Sequence, residues 1–467
     1  MKRKIKNTLI FALCTLLVLP CAIPAQASES EESKQNINVT VTYLTDDDER
    51  DYTIGNPYKD VDWEAWGQYK AALHVHTNAS DGAPSIAEAV EEHYRLGFDI
   101  LALSDHAVVG AQWDEVPQMV PLYRAVKFER TLLADPVVLT SERRQEILDG
   151  VGRDGRGMLE VTQACEANGA TPINDCHVNT FWSDYGQAKM GIYGDYETVV
   201  KNAQADGGLS FLDHTGEFVG CEDDPDRADE PYYINKFANI FLDYESCVAF
   251  DVNSGKNNRT RYDIDLWDNI LQITLPRGRN VSSITFSDGH LLDEYDRAFT
   301  MMCMPENTLE NLRTCMETGA WFSIGRYARK DLGEEFVGTG TPPTVHSVTV
   351  DNQTDTVSFE GSEYTYIKWI SNGEVIAEGT ACTSLCLDDF TDEELGMYVR
   401  FQITGDGGIL YSQAFPVTCE DIVWESVVVP TYDFAYFFRI LVDLFNMILG
   451  RTFAVTAIRE VLWGTSW

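Results

Sequence analysis

The sequence predicts an α/β domain followed by a small all-β domain. From Ala71 to about Arg329, short apolar runs alternate with stretches of helical periodicity, a pattern that favours parallel strands covered by helices. After Thr341-Pro342-Pro343 the helical periodicity ends and only short β-patterned runs follow. The pattern therefore divides the chain into an α/β region and a β region joined by a proline-containing linker.

The α/β region is predicted to span residues 66–330. A helix is predicted over 85–96, because Pro84 precedes the helical spacing and Gly97 follows it. The predicted strands are short apolar runs bounded by polar or turn residues, at 71–75, 100–103, 208–212 and 281–286.

Residues 107–160 are too many for a simple connection between strand and helix. They contain two predicted helices, at 120–133 and 141–148. We expect an inserted cap over the mouth of the α/β domain, because loops there carry function. A peripheral insertion is an equal alternative.

Residues 342–418 are predicted to form a β-sandwich, since about six short strands lie close together. The predicted strands are 345–350, 356–359, 364–370, 374–378, 398–404 and 410–415. Hairpin turns are expected at Asn372-Gly373 and at 405–408, where glycine permits positive φ angles.

The last segment, 430–467, is apolar and holds a predicted helix at 434–450. Arg439 and Asp443 interrupt the apolar run, so an amphipathic helix is favoured over a membrane span. Binding to a membrane surface, self-association and docking on the protein itself are the open alternatives.

Residues 1–27 have the order of a cleaved signal peptide. Four basic residues precede an apolar run, and Ala25-Gln26-Ala27 offers a cleavage site. A lipoprotein anchored on Cys21 and a retained membrane anchor fit less well. We therefore expect a secreted or cell-surface protein, in which 28–65 is a lead-in with one strand at 37–43.

The chain is strongly acidic, with a net charge of −39. Without residues 1–27, 31 basic residues oppose 74 acidic ones, and the net charge becomes −43. Such a field repels polyanions, so no nucleic acid polymer is expected as a partner. Nine cysteines remain, too few for a disulfide framework in so long a chain; one pair, Cys382 with Cys419 or Cys386, could bridge.

Six of the eight histidines lie beside small, turn-forming or acidic residues at the ends of predicted strands. His93 and His346 do not, and they are assigned ordinary structural roles. Because active sites of parallel α/β folds are built at the carboxyl ends of strands, these histidines and their neighbouring carboxylates predict a metal site. The predicted ligands are His74, His76, Asp81, His106, Glu166, His177, His214, Asp288 and His290.

Mixed imidazole and carboxylate ligands suit zinc, manganese or iron. Nine ligands exceed what one tetrahedral ion needs, so two or three divalent transition metals are expected. Clustered ions of this kind lower the pKa of water towards ~7 and bind the attacking and leaving oxygens. The residues alone thus predict a metal-dependent hydrolase.

The motifs resemble those that open the PHP (polymerase and histidinol phosphatase) superfamily. They are His74-Val75-His76-Thr77-Asn78-Ala79-Ser80-Asp81-Gly82 and Leu103-Ser104-Asp105-His106. Glu166 and His177 match the family's central glutamate and the histidine eleven positions later. His214 matches the histidine of the usual Ala-His-Pro, and Asp288-Gly289-His290 the terminal Asp-x-His.

The resemblance, which covers about 66–330, implies a distorted seven-stranded (β/α) barrel that holds up to three metals. A first ion would be held by His74, His76, Glu166 and Asp288. Glu166 would bridge to a second ion on His177 and His214, and a third would be held by Asp81, His106 and His290. The implied reaction is hydrolysis of a small phosphoester by a metal-bridging hydroxide, with Glu166, Asp288 and His290 as catalytic residues.

Departures from the family pattern limit what can be carried over. Asp213 and Thr215 stand where a small residue and proline flank the family's histidine, and the stretch from His106 to Glu166 is longer than in compact members. Export would exclude polymerase proofreading and histidine biosynthesis.

Five residues are predicted substrate contacts: Asn253, Lys256, Arg277, Arg279 and Arg326. The three arginines are candidates for phosphate binding, because guanidinium binds phosphate in a bidentate manner. Two other functions stay open: hydrolysis of a non-phosphate ester or amide, and binding of surface glycan or protein by a chain with a vestigial barrel.

Overall fold

A computed structural model describes residues 38–45, 50–119, 135–170, 175–189, 195–222 and 224–427. The predicted signal peptide 1–27, the helix at 120–133 and the tail 430–467 lie outside these ranges. Among the residues that the structure describes, no helix has the length and apolar character needed to cross a bilayer.

The described residues form 21 strands, numbered in chain order. They are β1 Asn38–Tyr43, β2 Tyr52–Ile54, β3 Gly67–Ala72, β4 Ile100–Ala102, β5 Leu159–Val161, β6 Ala164–Ala170, β7 Asp175–Phe181, β8 Leu209–Leu212, β9 Cys247–Ser254, β10 Ser282–Phe286, β11 Ala298–Met304, β12 Trp321–Gly325, β13 Thr344–Asp351, β14 Thr356–Ser362, β15 Tyr366–Ser371, β16 Glu374–Gly379, β17 Ser384–Cys386, β18 Tyr398–Gly405, β19 Gly408–Tyr411, β20 Phe415–Cys419 and β21 Ile422–Val427.

The α-helices of the described residues connect or flank these strands. They are α1 Ile86–Arg95, α2 Ser141–Leu148, α3 Tyr196–Ala205, α4 Thr215–Val219, α5 Pro231–Asp243, α6 Asp263–Thr274, α7 Leu309–Thr318 and α8 Arg329–Leu332. Short 3₁₀ turns occupy Pro225–Asp229, Leu275–Arg277, Leu292–Glu294 and Leu387–Asp389.

Local sequence explains several of these elements. Ser85 caps α1 and forms a capping box with Glu88, which satisfies backbone N–H groups that lack partners within the helix. Asn372 and Gly373 both have positive φ angles, 47° and 84°, as a two-residue hairpin turn requires. The α1, α2 and hairpin predictions agree with the structure.

The parallel strands that carry the site lie in two sheets. β3, β4 and β5 pair parallel in one sheet, whereas β8, β9 and β10 pair parallel in the other. In the second sheet β7 runs antiparallel to both β6 and β8. A mixed α/β architecture is therefore observed.

The closed seven-stranded barrel is not confirmed. β11 pairs antiparallel with β3 and β12, and β12 pairs with β19, so the first sheet extends outward instead of closing on itself. The two sheets still touch where their parallel strands end, through a bridge between Val75 and Gly289 and a hydrogen bond from Glu166 N to Ser104 O (2.7 Å).

The predicted boundaries at 65 and 342 do not separate the sheets. β1 pairs with β21 and β2 with β20, so the predicted lead-in supplies two strands to the β region. That region joins the α/β region through β12 and β19, and its remaining sheet is β13–β14–β17. The strand pairs β1–β21 and β2–β20 therefore connect the beginning of the described chain to its end.

The described part of the insertion lies to one side of α1. Arg143 forms an ion pair with Glu91 of α1 (2.7 Å), and Arg153 Nη2 donates to Gly97 O (3.2 Å). Gly97 precedes β4, whereas the predicted ligand His106 follows it. Residues 143 and 153 therefore lie beside α1 and the residue that precedes β4, whereas the predicted helix at 120–133 lies outside the described residues, so the cap and the peripheral insertion both stay predictions.

All nine cysteines after residue 27 are free thiols. The alternatives that paired Cys382 with Cys419 or Cys386 are therefore not observed. Five of these thiols, those of Cys176, Cys221, Cys247, Cys303 and Cys315, pack within the two buried apolar clusters.

Candidate metal centre

The nine predicted ligands meet at one edge of the parallel strands. His74 and His76 follow β3, His106 follows β4, and His214 follows β8, each two to four positions beyond the last residue of its strand. Asp288 and His290 follow β10 in the same way. Glu166 and His177 lie on β6 and β7, where those strands border the same edge.

Four ligand atoms lie close together at the end of β3. His74 Nε2 lies 3.1 Å from His76 Nε2, 3.1 Å from Glu166 Oε2 and 3.3 Å from Asp288 Oδ1. His76 Nε2 lies 2.9 Å from Glu166 Oε2 and 3.3 Å from Asp288 Oδ1. Ligand atoms about 2.0–2.1 Å from a tetrahedral ion are about 3.3 Å apart, so these distances fit the first set that the resemblance implies.

The second oxygen of Glu166 faces a different pair of imidazoles. Glu166 Oε1 lies 2.8 Å from His177 Nδ1 and 3.0 Å from His214 Nε2. Its carboxylate therefore points at two adjacent positions, as a bridging ligand does. This agrees with the second set.

The Asp81 carboxylate lies close to three imidazoles, those of His76, His106 and His290. Asp81 Oδ1 lies 3.4 Å from His290 Nε2 and 3.3 Å from His76 Nδ1, and Oδ2 lies 3.6 Å from His106 Nε2. His106 Nε2 is closer to Glu166 Oε2, at 3.2 Å.

Groups whose ligand atoms all lie within 4.8 Å of one another divide these residues differently from the resemblance. They are His74, Glu166, His214 and Asp288; His76, Asp288 and His290; and His76, His106 and Glu166. His177 belongs to none of them, and several residues serve two groups. The geometry thus supports clustered cation positions with shared ligands.

The charges of the site fit a divalent cation. Burial opposes ionisation of Glu166, but the imidazoles of His106, His177 and His74 hold its pKa well below the usual range. Glu166 Oε2 accepts no hydrogen bond within the described residues, although three imidazole nitrogens lie within 3.2 Å of it. A buried ionised carboxylate needs a compensating positive charge, which protonated imidazoles supply in the absence of metal and a divalent cation would supply when the imidazoles are neutral.

Backbone conformation also marks the ligands. His214 and Asp288 have φ angles of 26° and 45°, which non-glycine residues adopt rarely and at a cost of about 1–3 kcal/mol. His214 N donates to the buried Asp251 carboxylate (3.1 Å), which helps to hold this turn. Strain of this kind is typical of functional sites.

Asp105 supports the first loop and was not predicted as a site residue. Asp105 Oδ1 accepts hydrogen bonds from Thr77 N (2.8 Å), Ser80 N (3.1 Å) and Ser80 Oγ (2.6 Å). Thr77 and Ser80 lie between His76 and Asp81, so one buried carboxylate fixes the loop that holds both ligands. Its place directly before His106 was the available sequence signal.

Replacing Asp105 by Ala should therefore lower metal affinity by about 10–100-fold, the usual effect of removing the support of a ligand. Titration of the purified variant with Zn²⁺ measures this. The control is Asp296→Ala, which removes a partly buried carboxylate that pairs with Lys70 and Arg326 away from the centre. Equal Zn²⁺ affinity in the Asp105 variant and the control would contradict the role.

The predicted substrate contacts do not gather at the centre. Arg277 donates to Ser426 O and Arg279 to Cys247 O. Cys247 begins β9, whereas the candidate site lies beyond the end of that strand, so neither arginine lies at the centre. The loop that carries these arginines follows a helix, and such loops lie at the opposite edge of parallel strands.

The other three substrate predictions have mixed outcomes. Arg326 binds Asp296 and the backbone oxygens of Gly340 and Gly407, so it fixes loops. Asn253 is buried and donates to Tyr327 O (2.7 Å). Lys256 is exposed in the loop after β9, at the same edge of the parallel strands as the predicted ligands.

A different arginine lies next to the centre. Glu217 Oε2 is 4.0 Å from His214 Nδ1, and its Oε1 binds Arg259 Nη1 at 2.8 Å. Arg259 is partly exposed. The sequence analysis missed it because no motif marks it and its position depends on α4 packing against the loop after β9.

The fold and the site define an α/β domain whose clustered histidines and carboxylates could hold metal ions. Residues 72–236 match the model of the PHP domain family, and the chain accordingly carries a PHP domain, as its motifs predicted. The matched part contains seven of the nine predicted ligands.

Solved structures with some likeness to the chain include three proteins. A two-domain protein from Bacteroides vulgatus, containing a predicted PHP-like metal-dependent phosphoesterase, is 16% identical over 76% of this chain and 96% of its own, with a TM-score of 0.38. A protein from Bifidobacterium adolescentis, assigned by prediction as a metal-dependent phosphoesterase, is 12% identical over 47% of this chain and 87% of its own, with a TM-score of 0.27.

The third is a lesion-specific endonuclease from Pyrococcus furiosus, 10% identical over 54% of this chain and 56% of its own, with a TM-score of 0.29. No curated protein matches the chain. Likeness at these values carries no inference about substrate.

Proposed function

We propose that this protein is an exported metal-dependent phosphoesterase that hydrolyses a small phosphoester. The observation that carries the proposal is Glu166, whose two oxygens face separate sets of imidazoles at 2.8–3.2 Å. Adjacent cation positions that share a carboxylate suit phosphoryl transfer, because both the attacking and the leaving oxygen need charge stabilisation.

We propose that the centre binds two or three divalent transition-metal ions, which are zinc, manganese or iron. Divalent cations in such a site supply Lewis acidity and make a water molecule acidic near neutral pH. His74, His76, Glu166 and Asp288 would hold the first, and the remaining imidazoles and Asp81 would complete the cluster. Carboxylate and imidazole donors match these metals.

The protein's own residues shape the approach to the centre. His74, His76 and His106 are buried, whereas the side chains of Asp288 and His290 are 24% and 35% exposed. The open side of the cluster is therefore at Asp288 and His290, which are two of the three proposed catalytic residues. His290 Nδ1 lies 2.9 Å from Asp288 O, a contact that orients the ring and leaves Nε2, 3.4 Å from Asp81 Oδ1, as the atom that would bind a cation.

Metal analysis combined with a substrate panel tests the proposal. We expect at least one tightly bound transition metal per chain and hydrolysis of p-nitrophenyl phosphate or bis(p-nitrophenyl) phosphate. Hydrolysis of p-nitrophenyl acetate alone would favour the ester or amide alternative. A protein without bound metal that stays inactive after reloading would contradict both enzyme functions and leave the binding protein.

Arg259 is proposed to bind the substrate phosphate. Its guanidinium binds the Glu217 carboxylate, whose other oxygen lies 4.0 Å from His214 Nδ1. The chain has a net charge of −39, so a cation near the centre would offset the repulsion of a phosphate substrate. Replacing Arg259 by Gln should raise KM for a phosphomonoester about tenfold, because a hydrogen bond to a charged group contributes about 1.5–3 kcal/mol. The change in kcat should be smaller.

The matched control for Arg259 is Arg277→Gln, which removes an arginine at the opposite edge of the strands. Steady-state kinetics of the two variants on p-nitrophenyl phosphate should separate them. An equal KM in both would show that Arg259 does not contact the phosphate.

Export rests on the sequence pattern of residues 1–27. The proposed location is tested by mass spectrometry of the protein secreted by its host. A mature chain that begins near residue 28 in the medium or at the cell surface would support the proposal, and an intact amino terminus inside the cell would contradict it.

A further inference from the structure

Two buried polar groups without hydrogen-bond partners face each other behind the first metal position. His74 Nδ1 lies 3.9 Å from Asp213 Oδ1, and both residues are 0% exposed. Neither His74 Nδ1 nor either Asp213 oxygen has a hydrogen-bond partner within the described residues. Leaving such groups unpaired costs about 1–3 kcal/mol each, so their juxtaposition requires a reason.

The other nitrogen of His74 determines where its proton lies. His74 Nε2 faces Glu166 Oε2, His76 Nε2 and Asp288 Oδ1 at 3.1–3.3 Å. A nitrogen that binds a cation must present its lone pair, and the proton of a neutral imidazole is then on the other nitrogen. That nitrogen is Nδ1, which faces Asp213.

We propose that Asp213 is a positioning residue that accepts a hydrogen bond from His74 Nδ1–H when a cation occupies the first position. The present separation exceeds hydrogen-bond length by about 1 Å, which a rotation of the carboxylate can close. Metal-binding histidines commonly donate their second N–H to a carboxylate, which fixes the tautomer and makes the ligand more basic.

Neighbouring buried carboxylates do not share this geometry. Asp251 accepts hydrogen bonds from His214 N and Asn253 N, both at 3.1 Å. Asp263 accepts one from Gly216 N at 3.0 Å. These two carboxylates hold loops, whereas the Asp213 carboxylate accepts no backbone hydrogen bond from the part of the chain that the structure describes and faces an imidazole.

The proposal rests on the metal centre of the proposed function and does not depend on the phosphoesterase activity. Zn²⁺ affinity therefore tests it separately, by titration of the metal-free full chain against a chromophoric chelator. Asp213→Ala should weaken the tightest site by about 10–100-fold. Asp213→Asn keeps an oxygen that can accept from Nδ1–H, so its loss should be smaller, about threefold.

Two further variants separate positioning from general effects. Asp263→Asn removes a buried carboxylate charge nearby and should change Zn²⁺ affinity by less than about twofold. In a His74→Ala background, Asp213→Ala should have no additional effect, because the ligand that it orients is absent.

Several results would overturn the proposal. They are unchanged Zn²⁺ affinity in Asp213→Ala, an equal loss in Asp263→Asn, and an undiminished loss in the His74→Ala background. If Asp213→Ala does not fold, the same comparison with Asp213→Asn decides: a loss that disappears in the His74→Ala background supports the proposal, and a loss that persists contradicts it. A wild-type chain that binds no Zn²⁺ contradicts the metal centre and the positioning role together, whereas normal Zn²⁺ binding without phosphatase activity contradicts only the proposed reaction.

Discussion

Replacing Glu166 by Gln should lower the proposed phosphoesterase activity about 10³-fold and release bound metal. The Glu166 carboxylate approaches five imidazoles, and the ionised form is strongly favoured because their fields outweigh the effect of burial on its pKa. Glutamine has nearly the same shape but no charge and only one acceptor oxygen. A loss of about 4 kcal/mol of transition-state stabilisation corresponds to about 10³ in rate.

Metal content by mass spectrometry and kcat/KM on the best phosphoester measure the effect of Glu166→Gln. The control is Glu160→Gln, a buried glutamate that accepts from Trp113 N (2.7 Å) and pairs with Arg144 outside the centre. It should keep its metal. Full activity in the Glu166 variant would show that the bridging ligand has been wrongly assigned.

Metal affinity should fall steeply as the pH is lowered. Burial alone would lower the pKa of His290, but Asp81 and Asp288 outweigh it and, in the absence of metal, raise this pKa to about 8. The pKa values of His76 and His214 are likewise raised well above the usual value by nearby carboxylates that outweigh burial. Each ligand must lose its proton before it binds. An ion held by two such histidines, as by His76 and His290, should therefore lose about 10²-fold in affinity for each pH unit below the pKa values of both.

The same pKa shifts predict opposite pH dependences of stability with and without metal. The metal-free fold favours protonated His290, so this contribution is complete below about pH 6.5 and is lost as the pH rises through about 8. The metal-loaded protein should instead become more stable over that range, because binding of metal to the folded state increases. Thermal unfolding between pH 6 and 9 with and without Zn²⁺ measures both trends, and parallel trends would contradict the assignment of these histidines as ligands.

The predicted ligands could be found because they lie in short local patterns. His74 and His76 stand two residues apart after a strand, and Asp288 and His290 do the same, so local spacing already places each pair on one side. Glu166, His177 and His214 depended on order along the chain. The structure brings all of them together because the parallel strands end at the same edge.

The supporting residues could not be predicted in this way. Asp105 accepts hydrogen bonds from the loop between His76 and Asp81, and Asp213 faces His74; both contacts join residues that are distant in sequence. The position of Arg259 depends on the packing of α4. Arg277 and Arg279 were predicted from their residue type alone. Their loop follows a helix and not a strand, and it therefore lies at the edge of the sheet opposite to the ligands.

The sheet pairing was beyond local patterns for the same reason. The alternation of apolar residues predicts β1, but not that its partner is β21 at the other end of the described chain. In the same way the pattern predicts β19 without showing that it extends the sheet from β12. A closed barrel and a separate sandwich were therefore expected where one sheet continues through both regions.

Anomalous diffraction from crystals of the metal-loaded protein tests the central claim most directly. Data collected at the absorption edges of zinc, manganese and iron should show at least two peaks on either side of the Glu166 carboxylate. His74, His76 and Asp288 should lie about 2.0–2.2 Å from the first peak. The absence of any peak within bonding distance of Glu166, in crystals of protein that contains metal, would contradict the account.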